Sequence, residues 1–118
     1  MIEPRIEGKT LILEIKGVDK IWTLKGHLEI PLEHIKSVRT DSEIVKSYLG
    51  GVKVAGARIP NVIKAGTFIE HEGKIFWDVH KPEVAVVLEL NNENYSELVI
   101  EVADPTKFTE DLLNALNA

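Results

Sequence analysis

The chain contains no cysteine, which excludes disulfides, thiolate nucleophiles and cysteine-ligated zinc and accords with a reducing compartment. No window approaches the roughly 20 apolar residues needed to span a bilayer. The opening residues, MIEPRIEGKT, carry no apolar run of the signal-peptide kind. A soluble, cytoplasmic protein is expected. No spacer rich in Gly, Ser or Pro divides the chain, and neither a low-complexity tract nor a repeat of 20 to 50 residues occurs. The 118 residues, 44% of them hydrophobic, therefore read as one domain, 1–118, able to fill a single core.

An excess of positive charge is also missing. The net charge is −5, which argues against a general nucleic-acid binder, because such proteins depend on summed positive charge for encounter and affinity. The distribution is uneven. Residues 44–69 hold Lys46, Lys53, Arg58 and Lys64 with no acid, whereas residues 82–118 hold eight acids against Lys107 alone.

Chemical motifs are absent in the same way. His27, His34, His71 and His80 form no His-x-His or His-x-x-x-His pair, and His71 at a hairpin tip stands far from His80 along the returning strand, so no metal is expected. Ser37, Ser42, Ser47 and Ser96 lack a nucleophile elbow. Glu70 and Glu72 fall in a turn, where water keeps both ionised. Asn94-Tyr95-Ser96 matches a glycosylation sequon, which has no meaning without secretion. No catalytic residue and no cofactor are assigned.

What is present is period-two alternation. Thr10 to Lys16 places Leu11, Leu13 and Ile15 on one side, with Ile12 an exception on the other. Glu7-Gly8-Lys9 and Glu72-Gly73-Lys74 sit between potential strands, where glycine supplies the positive φ of a tight hairpin. Leu28 and Ile30 continue the pattern up to Pro31, which lacks a ladder N–H and marks an edge, bulge or stop. Ile35 to Thr40 reads as the next strand.

Asp19 and Gly26 bracket a short helix or strand carrying Ile21, Trp22 and Leu24. Asp41 is placed to cap a two-turn helix through Leu49 that Gly50-Gly51 ends. Val52 to Val62, with small residues and Pro60, fits either a close backbone approach or a loop.

Residues 59–80 form the most informative stretch. A turn at Glu72-Gly73 sets Phe68 opposite Trp77 and Ile69 opposite Phe76. Phe68, Ile75, Trp77 and Val79 are then expected inside, and Thr67, Ile69, Phe76 and Asp78 outside. The outward Ile69–Phe76 pair is a candidate contact for a second subunit or another protein.

Val84 to Leu90 is apolar almost throughout, as in a central strand, and Asn91 to Asn94 supplies a turn. In Ser96 to Val102, Leu98, Ile100 and Val102 are expected inside and Glu97 and Glu101 in water. Asp104-Pro105 opens a helix with Phe108, Leu112, Leu113 and Leu116 on its apolar stripe.

About seven antiparallel strands followed by one amphipathic helix is the order of a pleckstrin-homology-like (PH-like) domain. Several strings strengthen the resemblance: Asp19-Lys20-Ile21-Trp22, Leu28-Glu29-Ile30-Pro31-Leu32-Glu33-His34-Ile35, Ile59-Pro60, Phe76-Trp77-Asp78-Val79 and Leu98-Val99-Ile100-Glu101-Val102. From about Thr10 onward the chain resembles a family of small bacterial and archaeal PH-like proteins, departing from it at Asn61, where similar sequences tend to have Gly. The resemblance implies a mainly β, PH-like barrel or sandwich of about seven antiparallel strands capped by a C-terminal helix. It assigns no catalytic residue or ligand, and a fold alone confers no function.

The expected role is a non-enzymatic binding or assembly module engaging a protein partner or a second copy of itself. The alternative is a peripheral membrane or anionic-ligand binder using Lys46, Lys53, Arg58 and Lys64.

Overall fold

The alternation at the start of the chain becomes a hairpin. In the computed structural model, which describes residues 2–16, 26–40, 64–70, 73–79 and 84–118 (64–70 by their backbone), β1 (Ile2–Glu7) pairs antiparallel with β2 (Thr10–Ile15). Glu7 lies opposite Thr10, and Gly8 turns the chain at φ 60°, a left-handed value that glycine adopts without strain. β3 (His27–Pro31) pairs with the other side of β2. Pro31 ends that strand, and a single 3-10 turn, Leu32–His34, leads into β4 (Ile35–Thr40).

The second sheet has five strands in the order β4-β7-β8-β6-β5, with β5 at Lys64–Glu70, β6 at Gly73–Val79, β7 at Ala85–Leu90 and β8 at Tyr95–Glu101. The two sheets stack as a sandwich and do not close into a barrel. Leu11, Leu13, Ile15, Leu28 and Ile30 of the first sheet meet Phe76, Val86, Leu88, Leu98 and Ile100 of the second. Helix α1 (Pro105–Leu116) rests on β4, β7 and the 3-10 turn. Asp104 caps it by accepting a hydrogen bond from the Lys107 N–H at 3.0 Å, with Pro105 at the first position.

The fold class stands, and the structure alters its detail. Eight strands are described, and β6 runs parallel to β8. In the sheet β8 lies between β6 and β7, the two strands that precede it in sequence. The β5–β6 register also differs: Phe68 faces Ile75 and Ile69 faces Lys74, two residues from the predicted pairing, and Gly73 opens β6 at φ 123°. Within-strand alternation survives a shift of two, because side chains repeat every second residue.

The larger correction concerns faces. Phe76 and Asp78, expected in water, are both 0% exposed, and Glu101 is 3% exposed. Phe76 belongs to the core between the sheets, while Ile75, Trp77 and Val79 join Ala85, Val87 and Val99 in a second cluster on the reverse face. β6, β7 and β8 are thus buried on both sides. Such strands read as continuous apolar runs, and alternation cannot name an outer face for them. Ile12, on the outer side of β2, is buried as well. The expected elements at 19–25, 41–51 and 52–62 lie outside the described residues.

The stripe of α1 is narrower than predicted: Phe108 and Leu112 are buried, whereas Leu113 is 42% exposed. Leu112→Ala should therefore cost about 2–5 kcal/mol of unfolding free energy in urea titrations, and Leu113→Ala less than about 0.5 kcal/mol. Equal costs would show that the helix docks by a different face.

Candidate functional site

Phe76 sits in the core and offers no surface to a partner, and Ile69 is described only as the backbone partner of Lys74 in β5. Of the four cations proposed for an anionic ligand, Lys46, Lys53 and Arg58 lie outside the described residues, and Lys64 is placed by its backbone, opposite Val79. Among the described residues there is no group of three or more side chains able to hold a metal, and no helix long and apolar enough to cross a membrane.

The concave feature lies elsewhere. A groove of about 690 Å³ runs between β1 and the first two turns of α1, with Ile2 to Ile6 along one wall and Asp104, Lys107, Phe108 and Asp111 along the other. Its origin is topological. Val102, just past β8, meets Ile2 in an isolated parallel bridge, so the chain leaving β8 starts alongside β1 in the same direction. At Ala103 it turns away, and Asp104 starts the helix. Because α1 rests on β4, β7 and the 3-10 turn, the space beside Pro4 and Ile6 stays open.

The rim is charged and largely self-neutralised. Arg5 donates to Glu7 at 2.8 Å and also to Glu14, and Lys16 reaches Glu14 at 2.9 Å and Glu3 at 3.7 Å. On the helix, Lys107 lies 3.0 Å from Asp111, one turn further on, an i, i+4 pair. Hydrogen bonds from Arg5 and then Lys16 hold the Glu14 carboxyl down to about 2, and the same contacts raise both cations. Elsewhere on the surface, Arg39 donates to Glu89 at 2.8 Å. His34 Nδ1 lies 2.6 Å from Glu93 Oε2, and the His34 carbonyl accepts from the Asn91 N–H at 2.7 Å. These last two bonds tie the 3-10 turn to the β7–β8 connection and read as structural.

With this geometry in place, the comparison with protein families is direct: a family model described as a bacterial PH domain matches residues 10–116. The chain belongs to the bacterial PH domain family. Comparison with curated proteins and with solved structures returns no match. In this PH domain, β1 precedes the matched segment, so the groove pairs a strand outside the match with a helix inside it.

The hairpin expected at Glu7-Gly8-Lys9 implies a strand before it, and β1 is that strand, although sequence reasoning did not read its faces. IEPRIE alternates Ile2, Pro4 and Ile6 with Glu3, Arg5 and Glu7, the half-buried strand pattern, and a proline within such a run marks an edge.

The charge contacts on β1 and β2 carry a pH signature. Glu14 titrates below its usual 4.5 in the folded chain, so its pairing stabilises the fold above about 4.5 and the gain fades as pH falls toward about 2. Wild type should exceed Glu14→Gln in urea stability near neutral pH, the gap closing across that acidic window and shrinking in high salt. A gap constant through the acid range would mean that the ion pairs contribute nothing.

Proposed function

We propose that this bacterial PH domain is a non-catalytic binding module that acts in the cytoplasm and recognises another polypeptide through the groove between β1 and α1. Family membership supports a binding role in general. The observation that carries the specific reading is the groove itself: an open concavity with Pro4, Ile6 and Phe108 among its apolar lining, at the free edge of a sheet. Pockets of this kind, apolar with a few polar groups at the rim, are the usual form of recognition sites.

Nucleic acid and anionic membranes are not the proposed targets. Arg5, Lys16, Arg39 and Lys107 each lie against a carboxylate, and paired cations offer little net attraction to phosphate.

The test uses Ala103, which is exposed and lines the groove, so that Ala103→Trp fills the space without removing core contacts. A displayed library of random peptides is selected on the wild-type chain, and binders are measured on both proteins alongside their melting curves. Binders should lose at least about tenfold in affinity on Ala103→Trp while the melting temperature stays unchanged. A library without binders, or binders indifferent to the tryptophan, overturns the reading. Sedimentation of the unliganded wild type across concentration shows whether a second copy of the chain is the occupant instead.

A further inference from the structure

The open side of β1 can be read residue by residue from hydrogen bonds on the far side of β2. The Ile15 N–H donates to the Gly26 carbonyl at 3.0 Å, and the Leu32 N–H donates to the Lys9 carbonyl at 2.9 Å. Odd-numbered residues of β2 therefore turn their backbone polar groups toward β3. Along an antiparallel strand these groups alternate sides, so Thr10, Ile12 and Glu14 face β1, where the register sets them against Glu7, Arg5 and Glu3. Ile2, Pro4 and Ile6 consequently aim their backbone polar groups away from the sheet. Ile2 meets Val102 there. Beyond that bridge, Pro4 and Ile6 face the groove with two carbonyls and, because proline has no N–H, one donor.

Among the described residues none pairs with Pro4 or Ile6 on this side, so the groove has the form of an open strand lane. Past the Ile2 bridge, the edge from Glu3 to Glu7 covers four residue steps, about 13 Å at the usual rise, so the lane suits four or five extended residues. A second β1 is a poor occupant: an antiparallel copy centred on Pro4 sets proline against proline and loses both donors. The charges narrow the choice further. Three acids, Glu3, Asp104 and Asp111, line the groove against two bases, Arg5 and Lys107, so the rim keeps a small negative excess although each of these side chains has a partner on the protein. A basic side chain on the occupant complements this rim.

We propose that the lane between β1 and α1 is a strand-addition site, where a four- or five-residue extended segment of a partner protein, apolar at alternate positions and flanked by Lys or Arg, hydrogen-bonds to the backbone of Pro4 and Ile6. Main-chain pairing supplies the affinity in this mode and alternate side chains the selectivity. The proposal rests on the groove being the recognition surface.

Its test follows the Ile6 amide by hydrogen exchange. In the free protein this N–H should exchange far faster than those of Arg5 and Glu7, which face β2. The probes are the peptides selected from the display library, together with the designed peptide Lys-Val-Thr-Val-Thr-Val, analogues N-methylated at alternate residues, and a Glu-for-Lys version. Binding should slow exchange at Ile6 at least about tenfold, N-methylation on the paired edge should abolish it, and the Glu version should bind more weakly. Pro4→Ala, which adds a second donor, should tighten binding by roughly two- to tenfold. Binding that leaves Ile6 exchanging freely and tolerates N-methylation overturns strand addition while keeping the groove as a recognition surface. If no probe binds at all, strand addition falls together with the reading beneath it.

Discussion

The rest of this structure depends on the burial of β6, β8 and β7 from both sides. Phe76, Leu98 and Leu88 lie in one row against the three-stranded sheet, and Trp77, Val99 and Val87 form a second row on the reverse. At roughly 1.5–3 kcal/mol per large apolar side chain, two such rows exceed what any surface ion pair supplies. They make a stiff slab that brings Asp78 and Glu101 inside with it. Departures from regularity are left to the margins, where β1 and α1 meet at an angle that leaves room between them.

Physical reasons separate what was legible in the sequence from what was not. Where one face of a strand meets water, as in β3 and, Ile12 apart, in β2, alternation states the faces correctly, and Gly8, Pro31 and the Asp104-Pro105 cap mark the boundaries. In Ile75-Phe76-Trp77 the same rule fails because neither face is wet, so the chain offers no contrast from which to choose an outside. The candidate contact at Phe76 came from that failure. The parallel β6–β8 pair was illegible for another reason: which strands become neighbours is a matter of topology, and side-chain alternation reports only faces. The groove was partly legible, since IEPRIE has the pattern of an edge strand, but its depth comes from Val102 and Ala103 parting from Ile2 in space.

Membership of the bacterial PH domain family accounts for the sandwich and its helix, and a fold of this kind hosts many roles. What distinguishes the site is its composition from two sources, a helix within the family match and a strand that precedes it. The rim chemistry points the same way. Acids and bases around β1 satisfy one another, and among the described residues nothing pairs with the outward backbone of Pro4 and Ile6.

The insertion of β8 between β6 and β7 also orders events during synthesis. As the chain emerges, β6 and β7 are complete before the strand that must separate them exists, so pairing them directly would be a trap. A route that forms the β5–β6 and β7–β8 hairpins first and then joins them along β6 and β8 avoids that trap, at the cost of a long-range closure. Such non-local joining is slow compared with hairpin formation. On that route the β6–β8 seam closes last, and the interval before it closes is when its apolar strand edges are open to misassembly.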